Sequence, residues 1–366
     1  MSELLPAPEL TVLTGGAGWF GRAFLAALAG PTGDHGPVAR VGQVRVLAAG
    51  PREVPAILDV LPEAVVHVGD VTDRELLGEL FRGAAGASVV HAAGVIHPRR
   101  VADFERVNHG GTQAVLEAAA RAGVRRLVHL SSNSPFGTNP HPGDAFRQQE
   151  PYRPYLGYGD SKMHAELEVR AAHDRGDVPT VIVRPPWFYG PWQPERQTRF
   201  FSMVAAGRFP VPGDGSQQRS MAYVDNLVQG VALAERHPGA PGQAFWVADR
   251  DAYPLRDVVA TVRQALADEG FRTRGTAVRV PRGLAAVAET VDRALQHQGR
   301  YSAQVHVVGE LARTIRCDIS KTVEVLGYDP QVSLLEGMRR AVRWCVHQGL
   351  DIAPRVRLHG YQGTTS

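Results

Sequence analysis

Tyr158 and Lys162 stand four residues apart, a spacing that sets a phenol and an ammonium on one face of a helix. An ammonium beside a phenol stabilises phenolate and lowers the phenol pKa, which makes tyrosine an acid or base near neutrality; the same cation can hold a ribose. The chain has two lysines, Lys162 and Lys321, beside 38 arginines. Lysine kept at position 162 against that bias points to chemistry that a guanidinium does not perform. His129-Leu130-Ser131-Ser132-Asn133-Ser134 begins at the end of a predicted strand, so a hydroxyl there can reach the alcohol or carbonyl on which Tyr158 acts, although serines are also ordinary turn residues.

A second group of residues suits phosphate. Thr14-Gly15-Gly16-Ala17-Gly18-Trp19-Phe20-Gly21 follows the first predicted strand and opens the first predicted helix. Glycine is needed where the chain turns tightly, where backbone approaches a pyrophosphate, and where helix and strand pack closely; the helix N-terminus adds N–H donors and partial positive charge. The expected dinucleotide contacts here are Gly15, Gly18, Trp19, Phe20 and Gly21. The second strand ends in Ala48-Ala49-Gly50-Pro51-Arg52, with no carboxylate for the ribose hydroxyls. Arg52 is either a partner for a 2′-phosphate or a solvated turn residue, so NAD is expected and NADP stays open. Asp70, followed by Val71, is placed after the third strand to hold an adenine edge, and Ala92, Ala93 and Gly94 line the next strand end with small residues that let the cofactor approach.

These residues need a scaffold. Short apolar runs at Leu10–Leu13, Val44–Ala48, Val65–Val68, Ser88–Ala92, Leu127–Leu130 and Val178–Val183 read as strands. Helix-like segments at Gly21–Ala29, Phe104–Ala122 and Tyr158–Asp174 lie between them. That alternation predicts βαβ units and an α/β, doubly wound parallel sheet over residues 8–184, with 222–250 returning to it. After Arg184 a series of prolines punctuates the chain, and a smaller α/β substrate-binding lobe is expected over 185–221 and 251–355, with helices at Leu255–Glu269 and Leu335–Gln348. Pro31–Gly42 reads as a surface loop and 356–366 as a tail, polar from Gly360.

Composition narrows the class. The 366 residues carry 40 Lys+Arg against 37 Asp+Glu, and a surplus of three charges spread as arginine does not imply a nucleic-acid partner. Hydrophobic residues at 44% and charged ones at 21% fit an enzyme that folds in water and acts on a small molecule, not a disordered chain. Cys317 and Cys345 form no CxxC pair, so neither a disulfide framework nor a metal site is expected, and a reducing cytoplasm is the default. Met1–Leu10 carries Glu3 and Glu9 and has no signal-peptide pattern. Gly283–Leu295 is interrupted by Glu289, Asp292 and Arg293, which predicts an amphipathic helix and no membrane span.

In order and spacing, TGGAGWFG, GDVTD, VVHAAG, VNHGGTQAVLEAA, LVHLSSNSPFG, YGDSK, IVRPPWFYGP and GDGSQQRSMAYVDN resemble an extended short-chain dehydrogenase/reductase of the NAD-dependent epimerase/dehydratase and 3β-hydroxysteroid dehydrogenase kind. The resemblance implies a Rossmann domain and a homodimer paired through the helices matching Phe104–Ala122 and Tyr158–Asp174. It implies Tyr158 as catalytic acid/base, Lys162 as its partner and ribose ligand, and Ser132 as the substrate-orienting hydroxyl, because Ser132 stands four residues before Phe136-Gly137. Asn133 and Tyr189 fall beside the substrate, and Asn108 matches a helix asparagine of the family whose role is mainly structural. Arg184 and Pro185 match a corner near the nicotinamide. Arg219 matches the arginine that grips a sugar-nucleotide diphosphate.

Departures restrict the chemistry that the resemblance implies. The sugar-nucleotide dehydratases place Asp-Glu after the catalytic hydroxyl, whereas this chain has Asn133-Ser134. What remains is hydride chemistry at a secondary hydroxyl of a nucleotide-sugar-type substrate through a ketone. Against the sugar nucleotide stand Val280-Pro281-Arg282-Gly283-Leu284 and the stretch from Asp318 to Pro330, which resemble the hydroxysteroid dehydrogenase branch and its lipid-like alcohols. Trp187, Phe188, Tyr189, Trp192, Phe200 and Phe201 either line an apolar pocket for such a substrate or form core. A non-catalytic dinucleotide sensor is the third reading, and it has no need of Ser132, Tyr158 and Lys162 together.

Overall fold

Successive residues of a strand face opposite sides, and in this sheet both sides are covered. Val12 and Leu13 of β1 (Leu10–Thr14) are fully buried in two different apolar layers. The computed structural model describes residues 3–30, 38 and 42–353. Apart from Val38 and Gly42, the expected loop over 31–42 lies outside the described residues, as does the expected tail.

The first half alternates α1 (Trp19–Ala29), β2 (Gln43–Ala48), α2 (Val54–Leu58), β3 (Val65–Val68), α3 (Arg74–Leu80) and β4 (Ser88–His91). It continues through α4 (Gly111–Ala122), β5 (Arg126–Leu130), α5 (Leu156–Asp174) and β6 (Thr180–Arg184). All neighbours in the sheet are parallel, in the order β3-β2-β1-β4-β5-β6 of a doubly wound dinucleotide fold. Phe24 and Leu25 of α1 pack on one face; Leu77 of α3, Val115 of α4 and Val169 of α5 pack on the other.

The expected helix over Phe104–Ala122 is not uniform. Phe104–Gly110 winds as a wide π-helical stretch before α4 begins, and Asn108 within it bonds both backbone groups of Val95 through its amide.

The second half builds the lobe from β7 (Trp187–Tyr189), α6 (Glu195–Ala205), β8 (Pro210–Pro212) and β9 (Gln218–Tyr223). The chain then crosses back: α7 (Val224–Arg236) joins α1 on the sheet, and β10 (Ala244–Trp246) pairs in parallel with β6 as the seventh strand. After β11 (Ala252–Pro254) come α8 (Leu255–Asp268), β12 (Val278–Val280), α9 (Arg282–His297), α10 (Ala303–Leu311), α11 (Ser320–Leu326) and α12 (Leu334–His347). A three-stranded sheet β11-β9-β7 and helices α8 and α12 bury Val258, Val262, Met338 and Val342 in the lobe's own core. Among the described residues no helix is long and apolar enough to cross a membrane.

Candidate active site

The glycine turn is tight for steric reasons that side chains would violate. A Cβ on Gly15, which has φ +78°, would lie 2.7 Å from the backbone of Ala92 and Ala93, and one on Gly21 would lie 2.2 Å from the carbonyl oxygen of Gly15. The turn therefore rests directly on Ala92 and Ala93, at the end of β4, while the neighbouring Gly94 lies against Asn108, whose Oδ1 a Cβ there would approach to 3.0 Å. Gly18 is exposed, sits at the N-cap of α1, and supplies no side-chain cap, so the first N–H groups of the helix face an open cradle. This cradle fits a dinucleotide pyrophosphate.

Not every residue expected around the cradle faces it. The Phe20 ring is buried against Phe24, leaving its backbone N–H for the cradle. Trp19 is turned toward the lobe, where its indole donates to Pro191 O at 2.6 Å and its ring lies 4.6 Å from that of Phe188. Val71 is buried under Gly111. Asp70 is exposed at the end of β3; its carboxylate accepts from Thr72 N at 2.9 Å and from Arg106 Nη1 at 2.7 Å. Arg52 is exposed in the turn after β2.

Tyr158 and Lys162 both come from α5. The helix starts in a strained way, with Leu156 at φ 55°, a left-handed conformation costing about 1 kcal/mol or more for a side chain of this kind. Its opening turn is held by the lobe: Gly157 N donates to Gln296 Oε1 at 3.2 Å and Tyr155 Oη donates to Asp292 Oδ2 at 3.2 Å. Asp292 is fully buried, with Gln296 Nε2 3.0 Å from one oxygen and His306 Nδ1 2.8 Å from the other. Of the polar residues that interrupt the apolar run of α9, Asp292 thus faces the start of α5, where the sequence alone suggests only that the run is no membrane span; Gln296 lies just beyond that run.

Around Tyr158 the charges are arranged differently from expectation. Burial pushes the phenol up to about 12, against the hydrogen bond from Ser132 and the positive charge of Arg196. The expected lowering by Lys162 is not what the structure shows. Lys162 Nζ instead donates to Leu130 O at 2.8 Å and lies 3.3 Å from His129 Nε2. Burial brings the ammonium down to about 8, opposed by the negative charge of Glu166. Ser132 Oγ lies 3.1 Å from Ser134 Oγ and accepts from Ser134 N at 3.2 Å, which fixes the hydroxyl at the end of β5. Asn133, buried, opens the short turn Ser134–Phe136. Asn108 donates to Ser161 Oγ at 3.0 Å, joining the π-helical stretch to α5 beside Lys162.

Behind the site, Arg184 and Glu166 form a buried ion pair, Nη2 to Oε2 at 2.5 Å, with the guanidinium 4.4 Å from the Phe136 ring centre. Pro185 follows, also buried. Two residues expected at the substrate are placed otherwise. Tyr189 is fully buried and donates to Asp249 at 2.8 Å, so its hydroxyl braces the lobe and does not face a ligand. Arg219 is buried with its Nη2 donating to Glu310 O, while its Nε has no hydrogen-bond partner. Phe200 and Phe201 belong to the lobe core.

Arg196 was missed, being one arginine among many. It stands on the first turn of α6, is exposed, and acts electrostatically on both Tyr158 and Tyr301. His97 Nδ1 and Tyr301 Oη lie 2.9 Å apart on the same side.

Over 356 residues the chain is 43% identical to an uncharacterized protein of Sinorhizobium fredii, covering 95% of this chain and 99% of the relative. It is 30% identical over 338 residues to 4-hydroxy-2-methyl-3-oxo-4-farnesyl-3,4-dihydroquinoline-1-oxide ketoreductase of Stigmatella aurantiaca, covering 90% and 94% of the two chains. A crystal structure of dTDP-glucose 4,6-dehydratase from Streptomyces venezuelae, with NAD bound, superposes with a TM-score of 0.71 at 26% identity, covering 92% of this chain and 97% of that one. Residues 11–248 match the NAD dependent epimerase/dehydratase family, and with a likeness of this extent the chain belongs to that family of NAD-dependent enzymes.

Proposed function

We propose that this enzyme oxidises a secondary hydroxyl of a nucleotide-sugar-type substrate to a ketone and returns hydride to it, with Tyr158 as acid/base. The observation that carries the reading is that α5 and the end of β5 bring Tyr158 and a hydrogen-bonding Ser132 together, while Lys162 is anchored beside them at Leu130. Bound NAD would supply the hydride acceptor and donor. Gly15, Gly18 and Gly21 would cradle its pyrophosphate, and Lys162 would hold the ribose. Tyr158 takes the hydroxyl proton as the alcohol becomes a ketone and restores it on reduction, while Ser132 orients the same oxygen. Water loss is not part of this reading, because Asn133 and Ser134 stand where an acid and a base are needed and the Ser134 hydroxyl is engaged with Ser132.

One observation favours a second reading, oxidation or reduction of a lipid-like or secondary-metabolite alcohol: a relative 30% identical over 338 residues is a ketoreductase named for a farnesylated quinoline oxide. The nucleotide-sugar reading is supported by the likeness to dTDP-glucose 4,6-dehydratase, 26% identical over 92% of this chain, and not by Arg219, which is buried against Glu310. Pairing of two copies through α4 and α5 belongs to the same proposal, supported by the exposed Leu167 on α5, as does a reducing cytoplasm, supported by the free, buried Cys317 and Cys345.

Sugar nucleotides and lipid-like alcohols, each added with NAD and read by thermal stabilisation, separate the two substrate classes. Absorbance of reduced nicotinamide then separates the reactions. An epimerase regenerates its cofactor each cycle and gives no net signal, whereas a dehydrogenase accumulates reduced cofactor with turnover. Stabilisation by lipid-like alcohols alone overturns the nucleotide-sugar reading.

A further inference from the structure

On the π-helical stretch Glu105 and His109 stand four residues apart, and on α5 His164 and Glu168 do the same. The two pairs converge. Glu105 Oε1 lies 2.6 Å from His109 Nδ1 and 3.0 Å from His164 Nδ1, and one ligand atom from each of these three residues lies within 4.8 Å of the others. A tetrahedral zinc ion with bonds of about 2.0–2.2 Å to nitrogen and oxygen separates its ligand atoms by roughly 3.3–3.5 Å, so small side-chain rotations convert this cluster into a coordination shell. Behind the first imidazole, His109 Nε2 lies 3.6 Å from Glu168 Oε1, which also accepts from Gln113 Nε2 at 3.0 Å. A carboxylate within hydrogen-bond reach behind a ligating histidine holds the proton on the far nitrogen and leaves the near lone pair for the ion, and Glu168 stands a few tenths of an ångström outside that reach.

We propose that Glu105, His109 and His164 bind a divalent transition-metal ion of the zinc class, with Glu168 as a positioning residue and a fourth place open to water. The expectation of no metal site rested on cysteine spacing, which cannot register ligands brought together from two helices. An ion here ties the stretch carrying Asn108 to the helix carrying Tyr158 and Lys162, on a face of α5 away from the reacting groups. The proposal is independent of the substrate.

The test uses full-length, tag-free protein stripped with chelator and dialysed. Zinc chloride is titrated by calorimetry, and cobalt(II) is added in parallel and followed by its visible absorption. One zinc per chain at micromolar affinity or tighter, and intense tetrahedral cobalt bands, are expected. His109→Ala and His164→Ala each abolish both signals, while His297→Ala, exposed at the end of α9, keeps them. Glu168→Gln, a near-isosteric change that leaves the fold intact should an alanine variant not fold, weakens binding about 10- to 100-fold. No zinc uptake, uptake unchanged in the two histidine variants, or half an ion per chain overturns the proposal.

Discussion

The ammonium of Lys162 donates to the backbone carbonyl of Leu130 at 2.8 Å, which ties α5 to the strand end that carries Ser132. This bond needs the charged or at least the hydrogen-bearing amine, and the proposed hold of Lys162 on a ribose is stronger with the charge present. Burial brings Lys162 down to about 8, so the positive charge present at neutral pH is lost as pH rises through that value. NAD affinity is therefore expected to fall as pH rises above about 8, and to be weaker but flat with pH in Lys162→Met. Fluorescence titration of NADH between pH 6.5 and 9.5 checks both; a flat wild-type profile refutes the assignment.

Tyr158→Phe removes the proton-carrying oxygen while keeping the ring against Phe104, whose centre lies 5.8 Å away. Loss of a general acid/base costs about 10²- to 10⁴-fold in rate, so turnover should drop in that range with NAD affinity changed less than about twofold. Steady-state kinetics with calorimetric NAD titration measures the split. Turnover near the wild-type rate would remove Tyr158 from the reaction.

The parallel sheet was legible because strands buried on both faces read as short, nearly continuous apolar runs, as at Val44–Ala48 and Leu127–Leu130. Tyr158 and Lys162 were legible because four-residue spacing is a local property of a helix. Features decided by a distant partner were not. The widening of Phe104–Gly110 accompanies the bonds of Asn108 to Val95, and the role of Tyr189 depends on Asp249, a partner from another strand connection. The inward face of α9 is set by Tyr155 and His306, so Asp292 looked like a break in a hydrophobic run and not like a clamp.

That clamp has a measurable consequence. Asp292 is the acceptor for groups on Tyr155, Gln296 and His306, and removal of the carboxylate in Asp292→Ala leaves buried donors unpaired, at about 1–3 kcal/mol for each group that finds no other partner. A drop in melting temperature is expected, and, because Gln296 holds Gly157 at the start of α5, a fall in kcat larger than any change in NAD affinity. Asp292→Asn, which keeps one acceptor, should fall between wild type and Asp292→Ala in both. Thermal unfolding and kinetics on the three proteins check the order. Equal kcat in all three would separate the clamp from the site.

β2 ends at Ala48, and the nearby carboxylate, Glu53, is already used to accept from Ala49 N at 2.7 Å. The stretch from Ala48 to Arg52 itself carries no acid to bind the ribose hydroxyls and repel a 2′-phosphate. Arg52, exposed in the same turn, makes no hydrogen bond or ion pair among the described residues, so its guanidinium meets an incoming phosphate without first breaking a contact. One charge-assisted hydrogen bond is worth about 1.5 kcal/mol or more, which is about tenfold in affinity. Arg52→Ala should thus weaken NADP about tenfold or more and NAD less than twofold, and the NADP effect should shrink with added salt, since the contact is exposed. Equilibrium titrations with both dinucleotides at two ionic strengths decide the matter; equal losses for the two would mean that Arg52 does not read the 2′ position.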